Sequence, residues 1–293
     1  SEPETQAIET YIRTLFPDVR GPANGDAAPA DTEGVMISLH SYSPFVLYPW
    51  GWSAQPAPNQ VGLRTLARKF GYFTGYDACQ SSADNCLYMT DGTTDDFAYG
   101  ELGVPAYTFE LGTAFFEDCS YFETGILSQT IDALTYAVKV AARPYQLPSG
   151  PDVVKVTVTP ILAGTGQPVI LRADLDDGRT AISPYYGNEP IQAIAAATYT
   201  LDAPGWITTT APGIAMQPVG IFDSPRESAT ATIDTTGWAK GRHTIFVQGA
   251  DSAGNVGPAT AVSVEIVGES VYVPYVANGA QGRALDARGR VKE

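Results

Sequence analysis

The stretch Val35-Met-Ile-Ser-Leu-His-Ser-Tyr-Ser-Pro-Phe-Val-Leu-Tyr-Pro-Trp-Gly-Trp52 decides how the first half of the chain is read. Its opening five residues are short, almost wholly apolar and bounded by turn residues, which is the pattern of a buried strand. His40 follows that strand directly. Open α/β sheets gather ligand chemistry at the carboxyl ends of their strands, so a titratable ring at this point is a candidate functional group.

Moving outward, Ser1 with Glu4 forms a capping-box pair, and Ile8, Tyr11, Ile12 and Leu15 follow at helical spacing. Residues 21–33 are a Pro/Gly/Asp/Ala loop. The spacing predicts a helix near 61–70, a short one near 95–100 and a second apolar strand at 106–111. Leu127, Ile131, Leu134 and Val138 mark a last helix ending near Arg143. Strands alternating with helices predict, for residues 1–145, an α/β half-domain with a mixed, largely parallel sheet.

Three prolines and a glycine in Arg143-Pro-Tyr-Gln-Leu-Pro-Ser-Gly-Pro-Asp152 stop any helix, and 146–152 reads as a linker. Beyond it the pattern changes to alternation. Val154, Val156 and Val158, then Thr230 and Thr232, then the runs 243–249 and 259–267 have the period of strands, with turn signals at Asp177-Gly178 and Ala253-Gly-Asn255. About seven short strands predict an all-β, immunoglobulin-like sandwich over 153–268. The tail 269–293 carries Val271-Tyr-Val-Pro-Tyr-Val and an Arg-rich end, and has no assigned role.

Composition narrows the function classes. A net charge of −15 argues against nucleic acid or an anionic membrane as partner, and no apolar run is long enough to span a bilayer. Cys79 and Cys86 bracket a six-residue polar loop that a disulfide could close, while the pairing among Cys79, Cys86 and Cys119 stays open. That loop, with low Lys and high Thr, Gly and Tyr, points to a secreted or extracellular protein already processed at its start.

Two further segments carry chemistry. Thr108-Phe-Glu-Leu-Gly112 sets Glu110 at the end of the second apolar strand, where a buried carboxylate is costly unless paired or used. A salt-bridged or rim carboxylate is the plainer account of Glu110. Leu87-Tyr-Met-Thr-Asp-Gly-Thr-Thr-Asp-Asp-Phe-Ala-Tyr-Gly100 is a loop entering a short helix, and an Asp-rich helix cap is its plainer account. His243 lies mid-strand and reads as a structural residue.

In this order, His-Ser-Tyr and Leu-Tyr-Pro-Trp-Gly around His40, then Tyr88, Asp95-Asp96 and Phe-Glu-Leu around Glu110, residues 1–145 resemble the funnel-shaped α/β zinc carboxypeptidases. Ser-Glu-Pro-Glu-Thr at the start resembles the family's helix after its substrate-carboxylate loop. The resemblance implies an exopeptidase acting on peptide or protein C-termini. It makes His40 a ligand of Zn2+ and Glu110 the general base toward the attacking water. Tyr88 would close over the terminal carboxylate, Ser41 and Tyr42 would line the cleft, and Asp95 would sit at the base of the side-chain pocket, favouring basic or dual side-chain preference.

One departure matters. The family's His-x-x-Glu motif is absent and the only other histidine is His243, so the remaining zinc ligands and the arginines for the substrate are expected from an upstream N-terminal fragment of the same catalytic domain. This chain alone is therefore expected to be inactive. A different class of function is a catalytically inert remnant whose sandwich binds a surface polymer; a third keeps the enzyme but takes a cell-wall peptide or polar amide. Asp174, Asp176, Asp177 and Asp251 are candidate Ca2+ ligands, with acidic turn residues as the plainer account. Trp206 and Trp238 are candidate carbohydrate platforms, though core packing is the simpler fate of each.

Overall fold

The computed structural model describes residues 2–183, 187–205 and 213–268. Helix α1 (Pro3–Leu15) starts with Glu2 at its cap and Pro3 in its first turn, with no side-chain capping bond. Proline's fixed φ sets the start in place of the expected Ser1 cap, and Ser1 itself lies outside the described residues. Strand β1 (Met36–His40) is followed by β2 (Phe45–Tyr48), α2 (Gln60–Thr74) and β3 (Asp77–Gln80). The one-turn helix α3 (Thr94–Phe97) leads through a π-turn to β4 (Ala106–Glu110). A single turn, α4 (Cys119–Tyr121), and a second π-turn precede α5 (Leu127–Val140).

The strand order is β1-β4-β2-β3, with β1 parallel to β4, β4 antiparallel to β2, and β2 parallel to β3. The sheet is mixed, as expected, but β2 and β3 were not legible as strands: each has four residues, and Asp-Ala-Cys-Gln contains no β-branched side chain. β1 also runs one residue later than the pattern suggests, so His40 is its last residue.

Helices α2 and α5 pack together over the sheet. Leu63, Leu66, Ala67 and Phe70 of α2 meet Ala133, Tyr136, Ala137 and Val140 of α5 in one core, with the Phe70 and Tyr136 rings edge to face at 6.5 Å. The small alanines let the helices approach, so α5 buries this stripe and leaves Leu127, Ile131 and Val138, three of the residues that marked the helix, exposed. α1 does likewise, burying Ile12 and exposing Ile8, Tyr11 and Leu15. Gly62 admits the chain leaving α5, because a Cβ there would meet the Tyr145 ring at 2.8 Å.

The second half is a sandwich of two sheets, ordered β10-β11-β7-β5 and β6-β13-β12-β8-β9. Its strands are β5 (Asp152–Thr159), β6 (Leu162–Gly164), β7 (Val169–Asp176), β8 (Ile194–Leu201), β9 (Ile214–Ala215), β10 (Gln217–Pro218), β11 (Arg226–Ile233), β12 (Gly241–Asp251) and β13 (Thr260–Val267). The two beyond the expected seven are only two residues long. Val169, Leu171, Ala173 and Leu175 face Ile194, Ile245, Val247, Val264 and Ile266 across a shared core. In β5 the alternation is broken by a bulge between Val153 and Lys155, so Val153 is buried and Val154 points outward. The tail 269–293 lies outside the described residues.

Residues 147–149 form a 3-10 turn and Asp152 already begins β5. The fully buried Asp152 carboxylate lies 3.4 Å from Lys69 Nζ on α2 and 3.6 Å from an Arg179 nitrogen. Arg64 and Arg68 of α2 pair with Glu189, and Lys139 Nζ donates to Thr260 Oγ1 at 2.6 Å. Gly257 lies so close to Pro151 that a Cβ would stand 1.8 Å from its carbonyl oxygen.

Candidate functional site

Parallel pairing of β1 with β4 sets His40 directly beside Glu110, at the carboxyl ends of neighbouring strands about 4.8 Å apart. Every residue of β4 is buried, so Glu110 emerges from the interior at the mouth of a cleft of about 340 Å3. His40, Tyr88, Asp95 and Glu110 all line it, with Leu47, Ser81 and Thr108 as further walls. Four candidates separated by up to 70 positions in sequence thus meet around one space.

The Glu110 carboxyl is pushed up from its ordinary value by burial and pulled partly back by the adjacent His40. A carboxylate raised in this way is a group that can accept a proton from water. Asp95 is only 2% exposed, and burial raises its pKa too, opposed by the Thr93 hydroxyl and nearby backbone N–H groups. It stands at the start of α3, whose cap is the Thr93 side chain accepting from Asp96 N–H at 3.4 Å. Tyr88 is 68% exposed at the rim. Its segment begins at the Cys79–Cys86 disulfide, which settles a pairing the sequence left open, while Cys119 is free and exposed.

Ser41 and Tyr42 stand elsewhere. Ser41 lines a groove on the other side of His40 with Leu111, Phe115 and Phe116, and the Tyr42 ring meets Phe115 edge to face at 4.8 Å. Asp96, which the sequence offered only as a neighbour of Asp95, accepts from Gly51 N–H at 3.0 Å and Trp52 N–H at 3.1 Å. Ser81 reaches the cleft from just beyond β3 and Thr108 from the middle of β4; no motif announced Ser81, and Thr108 stood only as the first residue of the Glu110 segment. A larger hollow of about 600 Å3 at the junction of the two halves has no carboxylate or imidazole in its lining.

The four aspartates considered for Ca2+ are already engaged. Asp174 accepts from Ser228, Asp177 from Gln192 N–H, and Asp251 from Ala253 and Asn255, while Asp176 takes Gly178 N–H and pairs with Arg226. Among the described residues no three His, Cys, Asp or Glu side chains gather as a metal site. His243 is a structural residue of β12, its ring nitrogens 2.8 Å from Asp202 Oδ2 and 2.9 Å from the Ala239 carbonyl. Trp238 packs on the sandwich core and on the His243 ring, with centroids 4.7 Å apart; Trp206 lies outside the described residues.

The profile of the Zinc carboxypeptidase family matches residues 1–124. Carboxypeptidase A1 of Rattus norvegicus is 35% identical over 80 residues, which is 26% of this chain and 19% of that protein. Carboxypeptidase O of Homo sapiens is 33% identical over 118 residues, 38% of this chain and 27% of that protein. Among solved structures, the fibronectin(III)-like modules of Clostridium thermocellum CbhA overlap 40% of this chain and 100% of the module at 14% identity, with a TM-score of 0.22. The chain spans about a fifth to a quarter of the length of the two curated relatives named. The family implies Zn2+, but one imidazole beside Glu110 does not fit that ion, which in catalytic sites takes three protein ligands.

Proposed function

We propose, from the premise that residues 1–124 are a portion of a zinc carboxypeptidase catalytic domain, that this chain supplies half of an exopeptidase site acting on peptide C-termini. The observation that carries the reading is the side-by-side register of His40 and Glu110 over a cleft floored by Asp95. Glu110 is the general base: its raised basicity suits it to take a proton from the attacking water and return it to the leaving amine. His40 is one metal ligand, and the ligands this chain lacks come from an upstream portion of the same domain. Tyr88 folds over the terminal carboxylate, while Ser41 and Tyr42 contact the substrate from the adjoining groove on the other side of His40. Asp95 favours a terminal Lys or Arg, since a shielded carboxylate pairs strongly with a cation. The sandwich, residues 153–268, accompanies a catalytic part of 1–145 in a secreted protein.

The test is reconstitution. This chain, joined to the upstream portion of the domain, is expected to release C-terminal Lys or Arg from a peptide. Glu110→Gln is expected to lower kcat by about a thousandfold with zinc content unchanged, a loss within the range of general acid–base catalysis. Equal activity of the substituted protein would remove Glu110 from its role. A reconstituted, zinc-loaded protein that cleaves nothing would leave the inert reading in its place.

A further inference from the structure

Segment 87–93, which carries Tyr88, is tied down at both ends to one common post, the turn that follows β2. On the entry side, Ser81 N–H donates to the Tyr48 carbonyl at 3.1 Å, and the Ser82 hydroxyl to those of Trp50 and Ser53 at 2.8 and 2.6 Å. Gln80 Nε2 reaches the Ser53 and Gln55 carbonyls at 2.9 and 3.2 Å. The Cys79–Cys86 disulfide then returns the chain to β3 immediately before Leu87. On the exit side, both oxygens of Asp96 hold Gly51 N–H and one also takes Trp52 N–H. Gly51 has to be glycine there, because a Cβ would stand 2.4 Å from Thr90 Oγ1 and 3.1 Å from Asp96 Oδ2.

Between these anchors the segment has little holding it. Thr90 N–H to the Gly51 carbonyl at 3.0 Å is the bond that spans back to the post, Tyr88 and Met89 are exposed, and Gly92 takes a left-handed conformation with open space around it. A loop with fixed ends and a weakly tethered middle moves as a flap about those ends.

We propose that Asp96 and the Cys79–Cys86 disulfide are positioning elements that hold segment 87–93 as a flap over the cleft, and that they set substrate affinity while leaving the chemical step alone. The inference rests on the functional reading above and adds one residue and one disulfide to which that reading gives no task. Asp96 touches neither the cleft nor Glu110; it acts through Gly51 and through the short helix that presents Asp95.

Two measurements test it. In the reconstituted enzyme, Asp96→Asn is expected to raise KM about tenfold, and Asp96→Ala more, with kcat within about threefold, the signature of lost binding without lost chemistry. The double variant Cys79→Ser/Cys86→Ser moves KM in the same direction and gives an answer if the Asp96 variants fail to fold. In the 293-residue chain by itself, amide hydrogen exchange at Gly51, Trp52 and Thr90 is expected to quicken in Asp96→Asn while the amides of α2 keep their protection. Unchanged exchange at Gly51 and Trp52, or a KM that stays within twofold in folded variants, overturns the inference. An unsubstituted enzyme that cleaves no peptide overturns the functional reading, and the exchange experiment then reports the anchor separately from it.

Discussion

The two halves of this chain spend their apolar surface differently. Among the described residues, every large aromatic side chain on the exposed surface belongs to the α/β half: Tyr11, Tyr42, Trp52, Tyr72, Tyr88, Phe115, Phe116, Tyr121 and Phe122. The sandwich exposes only aliphatic side chains such as Ile161, Ile170 and Ile221, and keeps Tyr199 buried and Trp238 packed on its core. Among carboxylates the contrast rests on one residue. Asp152, Asp177 and Asp251 of the sandwich are buried against cations or backbone donors, as Asp96 is in the α/β half, whereas Glu110 is buried on one side and faces a cleft on the other. The sandwich closes on itself; the α/β half presents aromatic side chains and an acid at its surface. Isolated exposed side chains are normal on any protein surface; only Tyr42, Phe115, Phe116 and Phe122 gather around one groove.

The sharpest way to break this contrast is at the seam. Asp152→Ala strands Lys69 and Arg179 without their shared carboxylate, and losing one member of a buried ion pair is expected to cost about 3–5 kcal/mol. Urea unfolding followed by both tryptophan fluorescence and circular dichroism checks it. Coincident transitions in the unsubstituted chain that separate in the variant would make the seam the reason the halves unfold together. A loss under about 1 kcal/mol would make the sandwich energetically separate.

A smaller effect distinguishes the halves by pH. Burial pushes the Asp96 carboxyl up to about 6 from its ordinary 3.8, so the folded protein binds this proton more tightly than the unfolded chain does. Stability from this group therefore falls as pH rises from about 4 to about 6 and is flat above that, and Asp96→Asn removes the slope. His243 in the sandwich is raised from 6.5 by the Ala239 carbonyl and then by Asp202, since two acceptors at both ring nitrogens favour the doubly protonated ring. Its contribution is fully present below pH 6.5 and is lost as pH rises through the raised value; His243→Gln removes that step. Thermal midpoints measured from pH 4 to 9 should show two windows, each abolished by its own substitution.

The least costly change probes the exposed aromatics themselves. Phe116 is 96% exposed, so Phe116→Ser is expected to alter stability by less than about 0.5 kcal/mol. Urea unfolding of the two proteins should superimpose; a loss above about 1 kcal/mol would mean that this ring is packed in solution.

Much of this was legible in the residues themselves, for reasons that differ along the chain. β1 and β4 announced themselves because their apolar runs end in His40 and Glu110, and the cleft follows from their register. β2 and β3 stayed hidden because four residues are too few to establish a period. α5 was recognisable as a helix, but two stripes of similar periodicity compete on it, and only the small Ala133 and Ala137 let α2 come close. In β5 a single bulge reverses which valines face inward, and no local feature of the sequence signals it. The anchoring by Asp96, which the sequence offered only as the neighbour of Asp95, was hidden for a different reason: its partners are backbone N–H groups at Gly51 and Trp52, which carry no side-chain signature.

Cys119 gives this molecule a spectroscopic handle. Because Cys79 and Cys86 are bound to each other, a thiol-reactive dye would attach at position 119 alone, with no engineered site. That position borders the groove of His40, Phe115 and Phe116. A dye there would change its emission when an object settles on that side of the α/β half, so arrivals could be timed in solution before the arriving molecule is known.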